Sequence, residues 1–163
     1  DCMKTAIYEI DGPVAVRYPK GKEELCDSLQ ESNCSYSFFE GKTKDLLLVT
    51  YGRISISALK IMNSMDFDVS VLKLNCIKPI ANELIEIAKE FKRVIFLEES
   101  SIHGGIGESF GALLAQNQFH NVFEIHAIDG FIDTCKVEEG LTDVQLDENG
   151  IVEIIKNTES DKE

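Results

Sequence analysis

A glycine-rich run between residues 98 and 107 is the segment whose residue types most readily suggest chemistry. It follows a β-rich apolar stretch and precedes a helical pattern, so its backbone N–H groups could bind a phosphate at the start of the helix. Asp129 follows the next apolar stretch, about where a dinucleotide-binding fold places the acid that binds a ribose hydroxyl. These residues therefore allow a nucleotide site built from Gly105, Gly107 and Asp129.

The spacing of the glycines argues against that site. From Gly105 to Gly111 they follow the order G-x-G-x-x-x-G, which is longer than the dinucleotide fingerprint. The run also follows the third strand of the regular unit that begins near residue 46, whereas the fingerprint follows the first. We therefore expect a structural turn in which glycine lets helix and strand approach closely. A β-branched residue at position 105 should lower stability, because such residues tolerate a positive φ poorly.

Two carboxylates and three histidines are the other candidates. Glu98 and Glu99 could form an acid–base pair, but adjacent strand residues point to opposite faces, so we expect structural or solvated carboxylates. One of the two could line an interface. His103, His120 and His126 are too scattered to predict a metal site. His103 lies beside the glycine turn, but no partner for it is evident and a surface position is expected.

Composition narrows the class of protein. The 163 residues include 29 acidic and 16 basic side chains, and the net charge of -13 disfavours nucleic acid as a partner. No apolar run approaches the ~20 residues that span a bilayer, so no membrane association is expected. The five cysteines are scattered without a C-x-x-C pair, which favours free thiols in a reducing cytoplasm. The first residue, Asp1, suggests a fragment or a processed chain.

The elements that must position these residues alternate along the chain. Apolar runs predict strands, and apolar residues at helical spacing predict helices between them. We expect an α/β fold, a three-layer sandwich with a mostly parallel sheet of about five strands, one edge of which can be antiparallel. The predicted strands are residues 14–18, 46–51, 69–74, 93–97 and 122–128, and the predicted helices are residues 54–65, a helix capped by Asn82, residues 104–118, 137–141 and 150–156. Residues 22–44 predict a connection.

Several segments resemble the transketolase superfamily in the expected order. Residues 12–21, GPVAVRYPKG, resemble the G-P-x-A-x-R-Y-P-R-G that ends the pyrimidine-binding domain of deoxyxylulose-phosphate synthases. Residues 47–52 resemble the strand that opens the C-terminal domain, and Lys78-Pro79 with Leu84-Ile85 resembles K-P-L-D-x-x-L-I. The glutamate pair and the glycines that follow resemble E-E-x-x-x-x-G-G-x-G, and residues 146–151 resemble the synthase L-D-x-x-G-I.

The resemblance implies three segments and a reaction. Residues 1–21 would be the tail of a pyrimidine-binding domain, 22–44 a linker, and 45–163 a transketolase-type C-terminal domain. The intact enzyme would decarboxylate pyruvate on thiamine diphosphate. The resulting carbanion would attack glyceraldehyde 3-phosphate, giving 1-deoxy-D-xylulose 5-phosphate for isoprenoid synthesis.

The resemblance also implies what this chain lacks. In the family the diphosphate and its magnesium bind an N-terminal domain, and the middle, pyrimidine-binding domain holds the aminopyrimidine ring. Neither segment occurs here, so we expect no bound cofactor, no catalytic residue and no activity alone. The expected role is structural support and contacts in a homodimer.

Lys20 and Arg17 are the residues that the resemblance places at the substrate. Lys20 stands where the family has an arginine that helps to hold the phosphate of glyceraldehyde 3-phosphate. Lysine keeps the positive charge but loses the planar fork of arginine. The family's G-L-P-D-x-F, which follows the strand corresponding to residues 122–128, is poorly matched by residues 127–131, AIDGF.

Three alternatives stay open at this point. The chain could belong to another branch of the superfamily, such as a transketolase or the β subunit of a 2-oxo acid dehydrogenase. It could be a stand-alone dinucleotide-binding module that uses the glycine run and Asp129. It could also be an assembly domain without a ligand.

Overall fold

The computed structural model describes residues 2–16, 35–64 and 67–157. Its strands form one sheet in the order β1-β3-β2-β4-β5, with β1 antiparallel to β3 and the other pairs parallel. In chain order the elements are α1 (Cys2–Tyr8), β1 (Tyr36–Phe39), β2 (Leu46–Thr50), α2 (Ile54–Asn63), β3 (Ser70–Leu74), α3 (Asn82–Lys89), β4 (Arg93–Ser101), α4 (Ile106–Gln116), β5 (Val122–Ile128), α5 (Val137–Asp143) and α6 (Glu148–Asn157). The predicted mostly parallel α/β sheet with an antiparallel edge is confirmed.

The central strands are apolar throughout because both faces of the sheet are covered. Every residue of β2 is buried, and its side chains alternate between two cores. Leu46 and Leu48 pack in one core, and Leu47 and Val49 pack in the other. This alternation is the period of two that a β-strand imposes on its side chains.

Helices form the outer layers of the predicted sandwich. The first core is closed by α2 and α6, and the second by α3 and α4. The helix that follows β2 therefore lies on the opposite face from the helix that follows β4. Because β3 pairs with one side of β2 and β4 with the other, the direction of winding changes between β2 and β4. Such a change creates a crevice outside the carboxyl ends of these two strands.

Strand β1 corrects the prediction for residues 22–44. The sequence indicates only a connection there, but residues 36–39 pair with β3 in register from Tyr36↔Leu74 to Phe39↔Val71. A strand this short becomes stable by pairing and by packing its aromatic rings on the core, which are long-range effects. The sheet thus begins before residue 45, while the assignment of residues 1–21 to a preceding domain stays a prediction.

Smaller corrections concern the ends of elements. Residues 14–16 form no strand, and Val14 is 42% exposed, because an apolar run needs a partner strand to be ordered as one. Asn82 is the first residue of α3 and not its cap, since Ala81 holds the extended cap position. Strand β4 continues to Ser101, and α4 begins at Ile106 with Gly105 as its N-cap.

No helix within the described ranges is both long and apolar enough to cross a membrane.

Candidate functional site

The carboxyl ends of β2 and β4 bring together the strongest cluster of polar side chains. Thr50 pairs with Leu97, so Tyr51 and Glu98, which follow them, lie side by side at this edge. The Tyr51 hydroxyl donates a hydrogen bond of 3.0 Å to Glu98 Oε2. In doubly wound sheets this edge is where ligands bind. What fills it therefore decides what the domain can bind.

Glu98 is fully buried and caps helix α4. The backbone N–H of Ile106 donates to Oε2 at 2.9 Å, and that of Gly107 donates to Oε1 at 3.0 Å. A carboxylate at this position satisfies amides that have no partner inside the helix, and its charge suits the positive end of the helix dipole. Glu98 is therefore a structural carboxylate and not a solvated one, which is one of the two roles predicted from the sequence.

Two glycines make room for this carboxylate. A Cβ atom at Gly105 would overlap Glu98 Oε1 and lie 2.6 Å from the Ser101 carbonyl oxygen. A Cβ atom at Gly107 would lie 3.0 Å from Glu98 Oε1. The requirement for glycine at position 105 is therefore one of space. The predicted reason was wrong, because Gly105 has φ -72 and the positive φ of +78 belongs to Gly104.

Tyr51 remains a hydrogen-bond donor well above neutral pH. Burial and the hydrogen bond to Glu98, reinforced by the negative charge of that carboxylate, raise the pKa of Tyr51 to about 12. The phenol is therefore protonated under physiological conditions, and it does not serve as a base. Through its hydrogen bond to Glu98, Tyr51 links the end of β2 to the start of α4.

Glu99 points to the other face of the sheet, as the alternation of strand residues predicts. Its Oε2 forms an ion pair with Arg53 Nε at 3.0 Å, across the same crevice. The side chains of Arg53 and Glu99 are 27% and 37% exposed, so water screens this pair. The two glutamates thus do not share a substrate atom, and an acid–base pair is not formed.

The geometry does not favour a nucleotide at the glycine run. The amides of Ile106 and Gly107 donate to Glu98, and the amide of Gly104 donates to Glu108 Oε2 at 2.9 Å. The start of α4 is therefore occupied by carboxylates of the chain itself, which would repel a phosphate. Asp129 lies exposed after β5.

A groove of about 280 Å³ opens beside Glu99, between the end of β5 and α5. Its lining is mainly apolar and includes Ile128, Ile132 and Leu141. The volume falls just below the roughly 300–1,000 Å³ of common ligand pockets, so the groove does not suit a dinucleotide.

The histidines stay apart from this cluster. His103 is 90% exposed at its side chain, with Nδ1 3.9 Å from Glu108 Oε1. His126 Nε2 lies 3.4 Å from Glu124 Oε2 on β5, and His120 is exposed. Within residues 2–16, 35–64 and 67–157, no three His, Cys, Asp or Glu side chains come together in a way that could hold a metal ion.

Two of the predicted site residues cannot be compared with this cluster, and two residues of the cluster were not predicted. Lys20 and Arg17 are outside the described residues. Tyr51 and Arg53 were not singled out from the sequence. Their position directly after a buried strand was a usable signal, since parallel strands end at one edge. The sequence does not state, however, which two strands are neighbours.

The sheet order defines a doubly wound α/β domain in which carboxylates of the chain itself occupy the start of α4 at the ligand-binding edge. The model of the family described as "Transketolase, C-terminal domain" matches residues 39–151. This chain belongs to that family. The match includes β2, β4 and α4, and so all the residues of the cluster at the carboxyl edge.

Curated proteins similar to this chain include several 1-deoxy-D-xylulose-5-phosphate synthases. The enzyme from Mannheimia succiniciproducens is 30% identical over 150 residues, which are 89% of this chain and 24% of that protein. The enzyme from Proteus mirabilis is 30% identical over 158 residues, which are 94% of this chain and 25% of that protein. The chain thus spans about a quarter of the length of these relatives.

A solved structure agrees in fold. It is described as "Split gene transketolase, inactive beta4 tetramer", and it matches with a TM-score of 0.67 at 20% sequence identity. The match covers 83% of this chain and 46% of that chain. At this identity the similarity establishes the fold alone.

Proposed function

We propose that the chain forms the C-terminal part of a thiamine-diphosphate-dependent 1-deoxy-D-xylulose-5-phosphate synthase. The observation that carries the proposal is the similarity to synthases along about nine-tenths of the chain. The whole enzyme would condense pyruvate with glyceraldehyde 3-phosphate in the cytoplasm. Most of such an enzyme lies outside this chain, because the relatives are about four times longer.

Within that enzyme the chain has a structural and dimer-forming role. The structural part of this role is supported by Glu98 and Tyr51, which use the edge of the sheet for hydrogen bonds within the domain. The start of α4 does not fit a diphosphate, because its amides donate to carboxylates of the chain. The described residues also bring together no group of three His, Cys, Asp or Glu side chains that could hold magnesium. We assign no step of the thiamine chemistry to them. Without the N-terminal and pyrimidine-binding domains, the chain would be inactive.

A chimera tests this proposal. The C-terminal quarter of the Mannheimia succiniciproducens synthase would be replaced by this chain, and synthesis of 1-deoxy-D-xylulose 5-phosphate would be measured. The chimera should be active and dimeric, whereas the isolated chain should be inactive with the same substrates, thiamine diphosphate and magnesium.

The matched control is the same relative without its C-terminal quarter. A folded chimera that is no more active than the truncated enzyme would contradict the assignment to the synthase. A thiamine-dependent rate from the isolated chain would instead contradict the structural role.

Lys20, supported more weakly by Arg17, is proposed to bind the phosphate of glyceraldehyde 3-phosphate. That phosphate does not react, so its contact should act similarly on ground state and transition state. Lys20→Ala in the active chimera should therefore mainly raise the KM for glyceraldehyde 3-phosphate, by the equivalent of about 1.5–3 kcal/mol. The KM for pyruvate should hardly change, since pyruvate has no phosphate.

Two further variants sharpen the test of Lys20. Lys20→Arg should retain most of the activity, because arginine keeps the charge and adds a bidentate donor. Lys22→Ala removes a nearby positive charge and should leave both KM values unchanged. An unchanged acceptor KM in Lys20→Ala would show that Lys20 is an ordinary surface charge.

A further inference from the structure

We infer that Glu98 is a built-in anion that takes the place of a ligand at the carboxyl edge. In phosphate-binding members of doubly wound folds, an oxyanion from outside binds the first amides of a helix at this edge. Here the oxyanion belongs to β4. Its removal should leave a site for a small carboxylate. The inference depends on the fold and not on the proposed synthase activity.

The donors around Glu98 converge as they would around a ligand. Backbone N–H groups of Ile106 and Gly107 each hold one oxygen at 2.9 and 3.0 Å, and the Tyr51 hydroxyl adds a third bond at 3.0 Å. The two amides are held by the backbone at the start of α4. They therefore keep their direction when the carboxylate is removed, and unpaired buried donors are costly.

The space around the Glu98 carboxylate is enclosed, as in a binding site for a small anion. Glu98 is 0% exposed, and the absence of side chains at Gly105 and Gly107 leaves a cradle into which its oxygens fit. Glu98→Ala removes one methylene and the carboxylate, which are the heavy atoms of an acetate ion. Acetate is therefore the matched probe. The net charge of -13 opposes entry of any anion, so binding should be weak but selective.

The first experiment compares thermal unfolding of Glu98→Ala in sodium acetate and in sodium chloride of equal ionic strength. Acetate should raise the Tm of Glu98→Ala in a saturable way, because a ligand that binds only the folded state stabilises it. Phosphate, which is larger, should act less. Wild type and Glu99→Ala, whose helix cap is intact, should show only the general difference in Tm that the two salts cause. A folded Glu98→Ala whose Tm difference between acetate and chloride is no larger than that of wild type would overturn the inference.

A second variant decides the matter if Glu98→Ala does not fold. Glu98→Gln keeps the shape but replaces one oxygen with an NH₂ group, which must face a donor. Hydrogen exchange at the Ile106 or Gly107 amide should then be at least about tenfold faster than in the matched control Glu99→Gln, since a buried donor has lost its acceptor. Equal exchange of both amides in the two variants would mean that Glu98 is not their anion, whatever Glu98→Ala does.

Discussion

Strand β4 carries opposite charges near its two ends, and each charge binds the end of a helix. Glu98 caps the N-terminus of α4 at the carboxyl edge. At the amino edge, Arg93 donates to the last carbonyls of α6, with Nη1 2.9 Å from Ile155 O and Nη2 3.1 Å from Ile154 O. An anion at a helix start and a cation at a helix end are the signs that the helix dipole favours.

The two ends differ in how the buried charge is neutralised. Glu98 accepts only uncharged donors, namely two backbone amides and a phenol. Arg93 faces a full negative charge, because its Nε and Nη2 donate to both oxygens of Glu124 at 2.9 and 3.0 Å. The carboxyl edge thus depends on neutral dipoles around a buried carboxylate, while the amino edge depends on a pair of opposite charges that is partly buried.

The pKa of Glu124 reflects this charge pair. Burial alone would raise the pKa, but the hydrogen bonds and positive charge of Arg93, aided by His126, lower it below its ordinary value. A carboxylate with a lowered pKa stabilises the fold above its unfolded pKa and loses that contribution as the pH falls through the folded value. The amino edge should therefore weaken in acid. The carboxyl edge should weaken in alkali, where Tyr51 ionises.

The largest loss of stability is expected when a side chain is placed in the space around the Glu98 carboxylate. Gly105→Val places side-chain atoms on the Glu98 carboxylate and the Ser101 carbonyl, so we expect a loss of about 3 kcal/mol or more in the free energy of unfolding. Urea unfolding of the isolated chain would measure it.

Gly104→Ala is the matched control for that substitution. Nothing lies within 4 Å of a Cβ atom at Gly104, and only its φ of +78 is unfavourable, so about 1 kcal/mol should be lost. Equal losses for the two variants would mean that space around Glu98 is not limiting.

The next effect is expected at the amino edge. Arg93→Ala removes the guanidinium that pairs with Glu124 and that binds the last carbonyls of α6. The free energy of unfolding, measured in urea, should fall by about 2–3 kcal/mol. Arg93→Lys should recover part of this loss, because it keeps the charge but not the planar fork. Lys92→Ala, at a side chain that is 80% exposed, should cost about 0.5 kcal/mol or less. An Arg93→Ala loss as small as that of Lys92→Ala would mean that the hydrogen bonds of Arg93 to Glu124 and α6 do not stabilise the amino edge.

Tyr51→Phe should have a smaller effect at neutral pH and a distinct signature in alkali. Loss of the hydroxyl removes one hydrogen bond from Glu98 while both amides remain, so about 1 kcal/mol should be lost. Because the folded pKa of about 12 lies above the ordinary value of 10.0, Tyr51 contributes its full stabilisation below pH 10. The contribution is lost as the pH rises towards 12.

The measurement is the free energy of unfolding as a function of pH. Wild type should lose stability between about pH 10 and 12 more steeply than Tyr51→Phe, since only the wild type carries this phenol. Parallel profiles over that range would show that Tyr51 is not coupled to folding.

The sequence predicts the framework well because the framework follows local patterns. Runs such as Leu46-Leu47-Leu48-Val49 are apolar at every position, and only a strand covered on both faces requires that. The alternation of strand residues likewise places Glu98 and Glu99 on opposite faces. Strand β1 escaped prediction because its four residues depend on pairing with β3, more than thirty positions away.

The site was less predictable because its contacts depend on geometry between elements. Glu98 lies eight positions before Ile106, from whose amide it accepts a hydrogen bond. The turn between β4 and α4 brings them together, and its shape depends on the glycines at positions 104 and 105. Arg93 and Glu124 are 31 positions apart and meet only because β4 and β5 are neighbours. A charged residue next to an apolar strand is compatible with both exposure and burial, and neighbouring elements decide between them.

The smallest effect on stability is expected for the ion pair of Arg53 and Glu99, which serves as the reference for a partly exposed charge. Glu99 lies next to Glu98 in sequence and carries the same charge, yet its ion pair with Arg53 is partly exposed. A double-mutant cycle with Arg53→Gln and Glu99→Gln should give a coupling energy of about 0.5 kcal/mol, which is ordinary for a surface pair. The coupling should shrink further in high salt, because salt screens exposed charges. Urea unfolding at low and high sodium chloride would measure both values. A coupling above about 2 kcal/mol would show that the crevice excludes water on this face as well, and burial would then no longer distinguish the two glutamates.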